Sequence, residues 1–126
     1  MEDKIYRCPI CGNVFGVMHD GGVTPVCCGK PMEVIVANST EAATEKHIPE
    51  VEVKDGTVNV VVGSTLHPMT EAHYIDWVLI VTTRGRHRLV LKPTDEPKVS
   101  LGLGKDEKVV RVYAHCNIHG LWVKEL

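Results

Sequence analysis

Lys108-Val109-Val110-Arg111-Val112-Tyr113-Ala114-His115-Cys116-Asn117-Ile118-His119-Gly120 is a run rich in valine that ends on a cysteine with a histidine three residues on. Lys108 to His115 reads as a strand, and the turn after it gathers two side chains of the types that bind metal. Side chains alternate along a strand, so His115 and Cys116 face opposite ways. Cys116 is therefore grouped with His119, and His115 is left out of the site.

Outward from this stretch the same composition recurs. Val51 to Val53, Val58 to Val62, Tyr74 to Thr82, His87 to Leu91 and Leu121 to Val123 also read as strands, separated by turn signals at Asp55-Gly56, Arg84-Gly85, Pro93 to Pro97 and Gly102 to Gly104. Six or seven strands with almost no helical periodicity predict a mainly β chain folded as an antiparallel sandwich. Thr40 to Lys46 reads as a turn of helix or as loop.

The first 37 residues differ. They hold four of the five cysteines and a high density of Gly and Pro, the mark of tight turns and short strands. A unit below ~40 residues needs a metal, a disulfide or a partner chain for stability, and dimerisation through this segment is one expectation. Asn38-Ser39-Thr40 is a polar break, so the expected domains are 1–37 and 38–126. Cys8-Pro9-Ile10-Cys11 and Cys27-Cys28 supply four thiolates, enough for a tetrahedral cage. Adjacent residues in extended chain point apart, so Cys27 and Cys28 can share an ion only if the backbone twists between them. That spacing favours a distorted iron site over a zinc ribbon, which would carry a second CxxC; a structural zinc clamp is the alternative.

Seven histidines are present. His19 sits in a turn, His19-Asp20-Gly21-Gly22, and reads as an exposed loop residue. His87 lies between Arg86 and Arg88 and faces away from both, a half-buried structural position. His47, His67, His73 and His119 remain. Pro49 and Pro68 stiffen the backbone beside two of them, and all four lie where predicted strands begin or end.

Net charge is −2, made of −1 for residues 1–37 (three basic, four acidic) and −1 for the rest (eleven basic, twelve acidic). Nothing in this balance points to nucleic acid, and an anionic substrate would be drawn by local charge. No apolar run approaches the roughly 20 residues of a membrane span. The start, Met1-Glu2-Asp3-Lys4, lacks the apolar core of a secretory signal. The cytoplasm is the expected compartment, where free cysteines in CxxC spacing signal metal or redox chemistry.

Taken together, Cys8-x-x-Cys11, Cys27-Cys28, Glu45-Lys46-His47, His67-Pro68-Met69, His73-Tyr74-Ile75 and Cys116-Asn117-x-His119-Gly120-x-Trp122 resemble the desulfoferrodoxins, two-iron superoxide reductases, over nearly the whole chain. The resemblance implies a desulforedoxin-like first domain with an Fe(Cys)₄ centre, an immunoglobulin-like second domain with the catalytic iron, and a homodimer. It makes His47, His67, His73 and His119 the equatorial ligands and Cys116 the axial ligand of a square-pyramidal Fe(His)₄(Cys) centre with one position open to superoxide. The implied reaction is one-electron reduction of superoxide to hydrogen peroxide with no oxygen evolved. Lys46 would attract the anion and order water for proton delivery; Glu45 would supply a carboxylate that helps expel product. The implied donor is a rubredoxin-type protein. On the residues alone, an electron carrier without turnover and a zinc-stapled interaction module are the rival classes.

Overall fold

A computed structural model describes residues 3–39, 47–63 and 66–126, among which there is no helix. The chain divides into two compact units, Met1–Val36 and Ala37–Leu126. The described residues are mainly β, as the alternation of their side chains requires.

In the first unit, β1 (Ile5–Arg7) pairs antiparallel with β2 (Val14–Gly16), while β3 (Val26–Cys27) and β4 (Lys30–Pro31) form a small hairpin and β5 (Glu33–Val34) adds to β1. Its core is small: Tyr6, Cys8 and Met32, with Val17 and Cys27 packed against them. One cysteine of the cluster is thus itself a core residue.

The second unit is a sandwich of two antiparallel sheets. One is ordered β10-β7-β6, from β6 (Pro49–Lys54), β7 (Thr57–Val62) and β10 (Lys98–Gly102); the other is ordered β12-β11-β8-β9, from β8 (Ile75–Thr82), β9 (Arg86–Val90), β11 (Val109–Cys116) and β12 (Gly120–Glu125). The inward residues alternate along each strand. Val58, Val60 and Val62 face Val78, Ile80, Val112 and Ala114 in one apolar core. Residues directly paired across β8 and β11 share a face, so Trp77, Leu79 and Val81 lie with His115, Tyr113 and Arg111 on the side of the sheet away from the sandwich core, where Val81 and Tyr113 are themselves buried.

Two departures from the sequence reading matter. β10 was not among the expected strands; Val99 and Leu101 pack against the core while Lys98 and Ser100 face out. The second is a bulge: His115 pairs with Trp77 but Cys116 pairs with Ile75, leaving Asp76 as an extra residue on β8. Cys116 and Ile75 both stay in the core as a result. Thr40 to Lys46, the stretch left open between helix and loop, lies outside the described residues and includes Glu45 and Lys46.

Candidate metal centres

The four N-terminal cysteines converge through two turns. After β1 the chain doubles back, with Gly12 N–H donating to Cys8 O (3.0 Å) and Cys8 N–H to Asn13 O (2.9 Å). This turns Cys8 and Cys11 to one side. The adjacent pair is resolved by a two-residue hairpin turn: Cys27 pairs with Lys30, and Cys28-Gly29 between them adopt φ of 53° and 74°. Two positive φ values are the signature of a primed turn, which suits glycine and costs a side chain of order 1–3 kcal/mol. The left-handed Cys28 is the twist that the adjacent cysteines demanded, and it brings the two sulfurs to 4.0 Å.

All four sulfurs lie within 4.8 Å of one another, with Cys11 and Cys27 at 3.7 Å. Thiolates about 2.3 Å from one ion in a tetrahedron stand roughly 3.8 Å apart, so the spacing fits. Electrostatics agree. The Cys11 backbone N–H points at Cys8 Sγ (3.5 Å) and lowers the Cys8 thiol to about 6. Cys27, hydrogen-bonded to the sulfurs of Cys8 and Cys11, is pushed up to about 12. Sulfurs so crowded hold protons between them until a cation replaces the protons. Cys8 is buried, Cys27 half-buried, and Cys11 and Cys28 are exposed.

The second cluster sits at one end of the sandwich. His47 directly precedes the segment that starts β6, His67 and His73 come from the connection between β7 and β8, Cys116 ends β11, and His119 lies in the turn before β12. The four imidazoles form a closed circuit: centroids are 4.7 Å apart for His47–His67 and His67–His73, and 5.0 Å for His73–His119 and His119–His47, with neighbouring planes steeply inclined. Ligand atoms of His47, His67, His73 and Cys116 lie within 4.8 Å of one another. His119 Nδ1 is 3.2 Å from His47 Nε2 and 3.8 Å from Cys116 Sγ. Nitrogens about 2.1 Å from an ion stand roughly 3.0 Å apart at right angles and 4.2 Å apart across it. The set is rich in imidazole, with one thiolate and no carboxylate, which suits a transition metal rather than calcium or magnesium.

Neighbouring groups orient these donors. His67 Nδ1–H donates to Pro68 O (2.8 Å), which leaves Nε2 as the ring's lone-pair nitrogen. Trp122 stacks on His47 (4.5 Å, 13°) and donates its Nε1–H to His119 O (3.2 Å). Thr70 ties back to His73 in a tight turn. Asn117 joins the two loops: its Oδ1 accepts from Tyr74 N–H (2.9 Å) and its Nδ2 donates to Ala72 O (3.1 Å). In the sequence reading Asn117 stands only as part of the family motif, and no supporting role is given to it, to Thr70 or to Pro68 O. An asparagine directly after a site cysteine, in a turn, was the one available hint.

The other histidines stay outside the cluster. His19 is exposed. His87 is half-buried, 3.4 Å from Glu107 Oε2. His115 lies on the outer face, stacked on Trp77 and bonded to Asp76.

The family profile described as Desulfoferrodoxin, N-terminal domain, matches residues 1–35, and that described as Desulfoferrodoxin matches residues 39–125. The chain is 44% identical over 119 residues to a desulfoferrodoxin homolog of Archaeoglobus fulgidus, covering 94% of each. It is 41% identical over 122 residues to the desulfoferrodoxin of Syntrophotalea carbinolica, covering 97% of this chain and 95% of the other. The crystal structure of the superoxide reductase from Treponema pallidum superposes with a TM-score of 0.85 at 31% identity, covering 98% of both chains. Each donor set falls whole within one matched region, and the two sets correspond to the family's two iron sites, Fe(Cys)₄ and Fe(His)₄(Cys). The cofactors are accordingly two iron ions, and the chain belongs to the desulfoferrodoxin family.

Proposed function

We propose that this chain is a superoxide reductase that adds one electron to superoxide, yields hydrogen peroxide after two protons are taken up, and releases no oxygen. That it is an oxidoreductase acting on superoxide follows from its family and from the reductases it resembles in structure. The observation that carries the finer reading is the closed circuit of four imidazoles around a buried cysteine sulfur.

In this reading His47, His67, His73, His119 and Cys116 hold the catalytic iron, and Cys8, Cys11, Cys27 and Cys28 hold the accessory one. Iron at the histidine site supplies the electron. The protein's part is to fix the donor set and manage charge. The Cys116 thiolate, enclosed by the apolar core, is shielded from solvent and is the most electron-donating member of its set. Lys46 draws the anion and holds the water that delivers protons, and Glu45 helps expel product. The first centre stores or passes electrons, a rubredoxin-type protein is the donor, and the working form is a cytoplasmic homodimer.

The test uses the pre-reduced two-iron protein mixed with superoxide without air. Peroxide equal to the superoxide consumed, matching loss of ferrous iron and no oxygen are expected. Oxygen from half the superoxide would mean a dismutase; no fast reaction would mean a carrier. Cys116→Ser is expected to lose the second site's thiolate absorption and most peroxide formation, and retention of both refutes the role given to Cys116.

A further inference from the structure

We infer that the accessible part of the outer face of the β12-β11-β8-β9 sheet, from the stacked rings of Trp77 and His115 across to β9 and apart from the buried Val81, Tyr113 and Leu121, is the docking surface for a small acidic electron-carrier protein and the point where its electron enters. This rests on the reductase reading, because a reductase must be re-reduced after each turnover.

Cys116 is buried, so no carrier protein can touch its sulfur. Its neighbour His115 faces the other side of the sheet, one peptide linkage from Cys116. There His115 is paired in register with Trp77, ring centroids 5.0 Å apart and planes inclined by 1°. The bulge at Asp76 completes the arrangement, since Asp76 Oδ1 lies 2.6 Å from His115 Nδ1 and fixes the ring. Electron tunnelling decays steeply with distance and favours bonded and stacked paths. This pair is therefore a route from surface to sulfur.

The surroundings suit a protein partner. Val90, the register partner of Trp77 on β9, is 62% exposed, and Leu79 and Val123 beside them are half-buried. Arg86 and Arg88 are exposed on the same face of β9. The carboxylates on this face are each held, Asp76 by His115 and Glu125 by Arg111. An apolar centre with an arginine edge is complementary to an acidic surface with an apolar contact. The transfer moves one electron: the carrier is oxidised by one, the ferric site is reduced by one, and no bond is made or broken.

The experiment follows reduction of the oxidised two-iron protein by reduced rubredoxin, read at the second site's visible absorption, with amide shifts mapping where rubredoxin binds. Arg86→Glu with Arg88→Glu is expected to slow the second-order reduction about tenfold at low ionic strength, converging with wild type in high salt. Trp77→Leu is expected to slow the rate at saturating rubredoxin while leaving the binding midpoint in place. Reduction by ascorbate should keep its wild-type rate in each, and shifts should cluster at Trp77, Leu79, Arg88 and Val90. Wild-type rubredoxin kinetics in both variants, or shifts centred on exposed His119, overturn the proposal. So does a change in sedimentation without a change in rubredoxin kinetics, which would give the face to a second copy of the chain. Failure of the reductase reading is separate: the pre-reduced protein would not react with superoxide, whatever rubredoxin does.

Discussion

Cys28 and Asn117 show how differently single residues announce themselves. Cys28 was legible: two adjacent cysteines cannot share an ion in extended chain, and its positive φ supplies the turn. His115 was legible for the same reason of parity. Asn117 was not, because its value lies in reaching Tyr74 and Ala72, 43 and 45 residues away, contacts that no local pattern encodes. Groups that hold ligands in place commonly matter 10–100-fold to metal affinity. Asn117→Ala is therefore expected to weaken iron binding at the histidine site by about that factor, read by competition with a chelator, while the Fe(Cys)₄ absorption stays unchanged. Asn117→Asp keeps the acceptor for Tyr74 N–H and loses the donor to Ala72 O, so its loss should be smaller.

At the scale of elements, the strands with dense valine and isoleucine were legible and β10 was not. Lys98-Val99-Ser100-Leu101 does alternate, but it is short and lies between two turn signals that dominate its reading. The bulge was likewise hidden, since register is set between strands. Core strands carry the stability: Ile80→Ala, at a fully buried position in mid-β8, is expected to cost about 2–5 kcal/mol in urea unfolding, with iron content unchanged. The end of the sandwich away from the four-histidine cluster is tied by Glu107, which accepts from the Thr82 hydroxyl and from Gly104 N–H (2.8 Å) and lies near His87. Chiefly the Thr82 hydroxyl, then Gly104, holds its carboxyl below the ordinary glutamate value of 4.5. A lowered folded-state pKa contributes stability above the unfolded value, lost as pH falls through the folded one. Glu107→Gln should thus lower the unfolding midpoint at neutral pH by an amount that is constant above 4.5 and shrinks below it. A difference that grew on acidification would contradict this assignment.

At the scale of the whole molecule, the two units differ in what holds them folded. Residues 37–126 have a two-sheet apolar core that excludes water without help from metal. Among its described residues the first unit buries Ile5, Tyr6, Cys8 and Met32, one of them a sulfur of the site, and exposes Phe15, Val23 and Val26. So small a core falls below what an independent domain needs, and in such units metal binding and folding are one equilibrium. Cys8→Ser removes a thiolate of the cage that is also one of the buried residues of this small core. The variant should carry one iron in place of two, lose the Fe(Cys)₄ absorption and show collapsed amide dispersion for residues 3–36. The amides of 47–63 and 66–126 should keep theirs, along with the absorption of the histidine site. Folded amide shifts throughout the first unit without its iron would show that its short strands are self-sufficient. Loss of iron from both sites together would show that the sandwich depends on the cysteine cluster, which its own core gives no reason to expect.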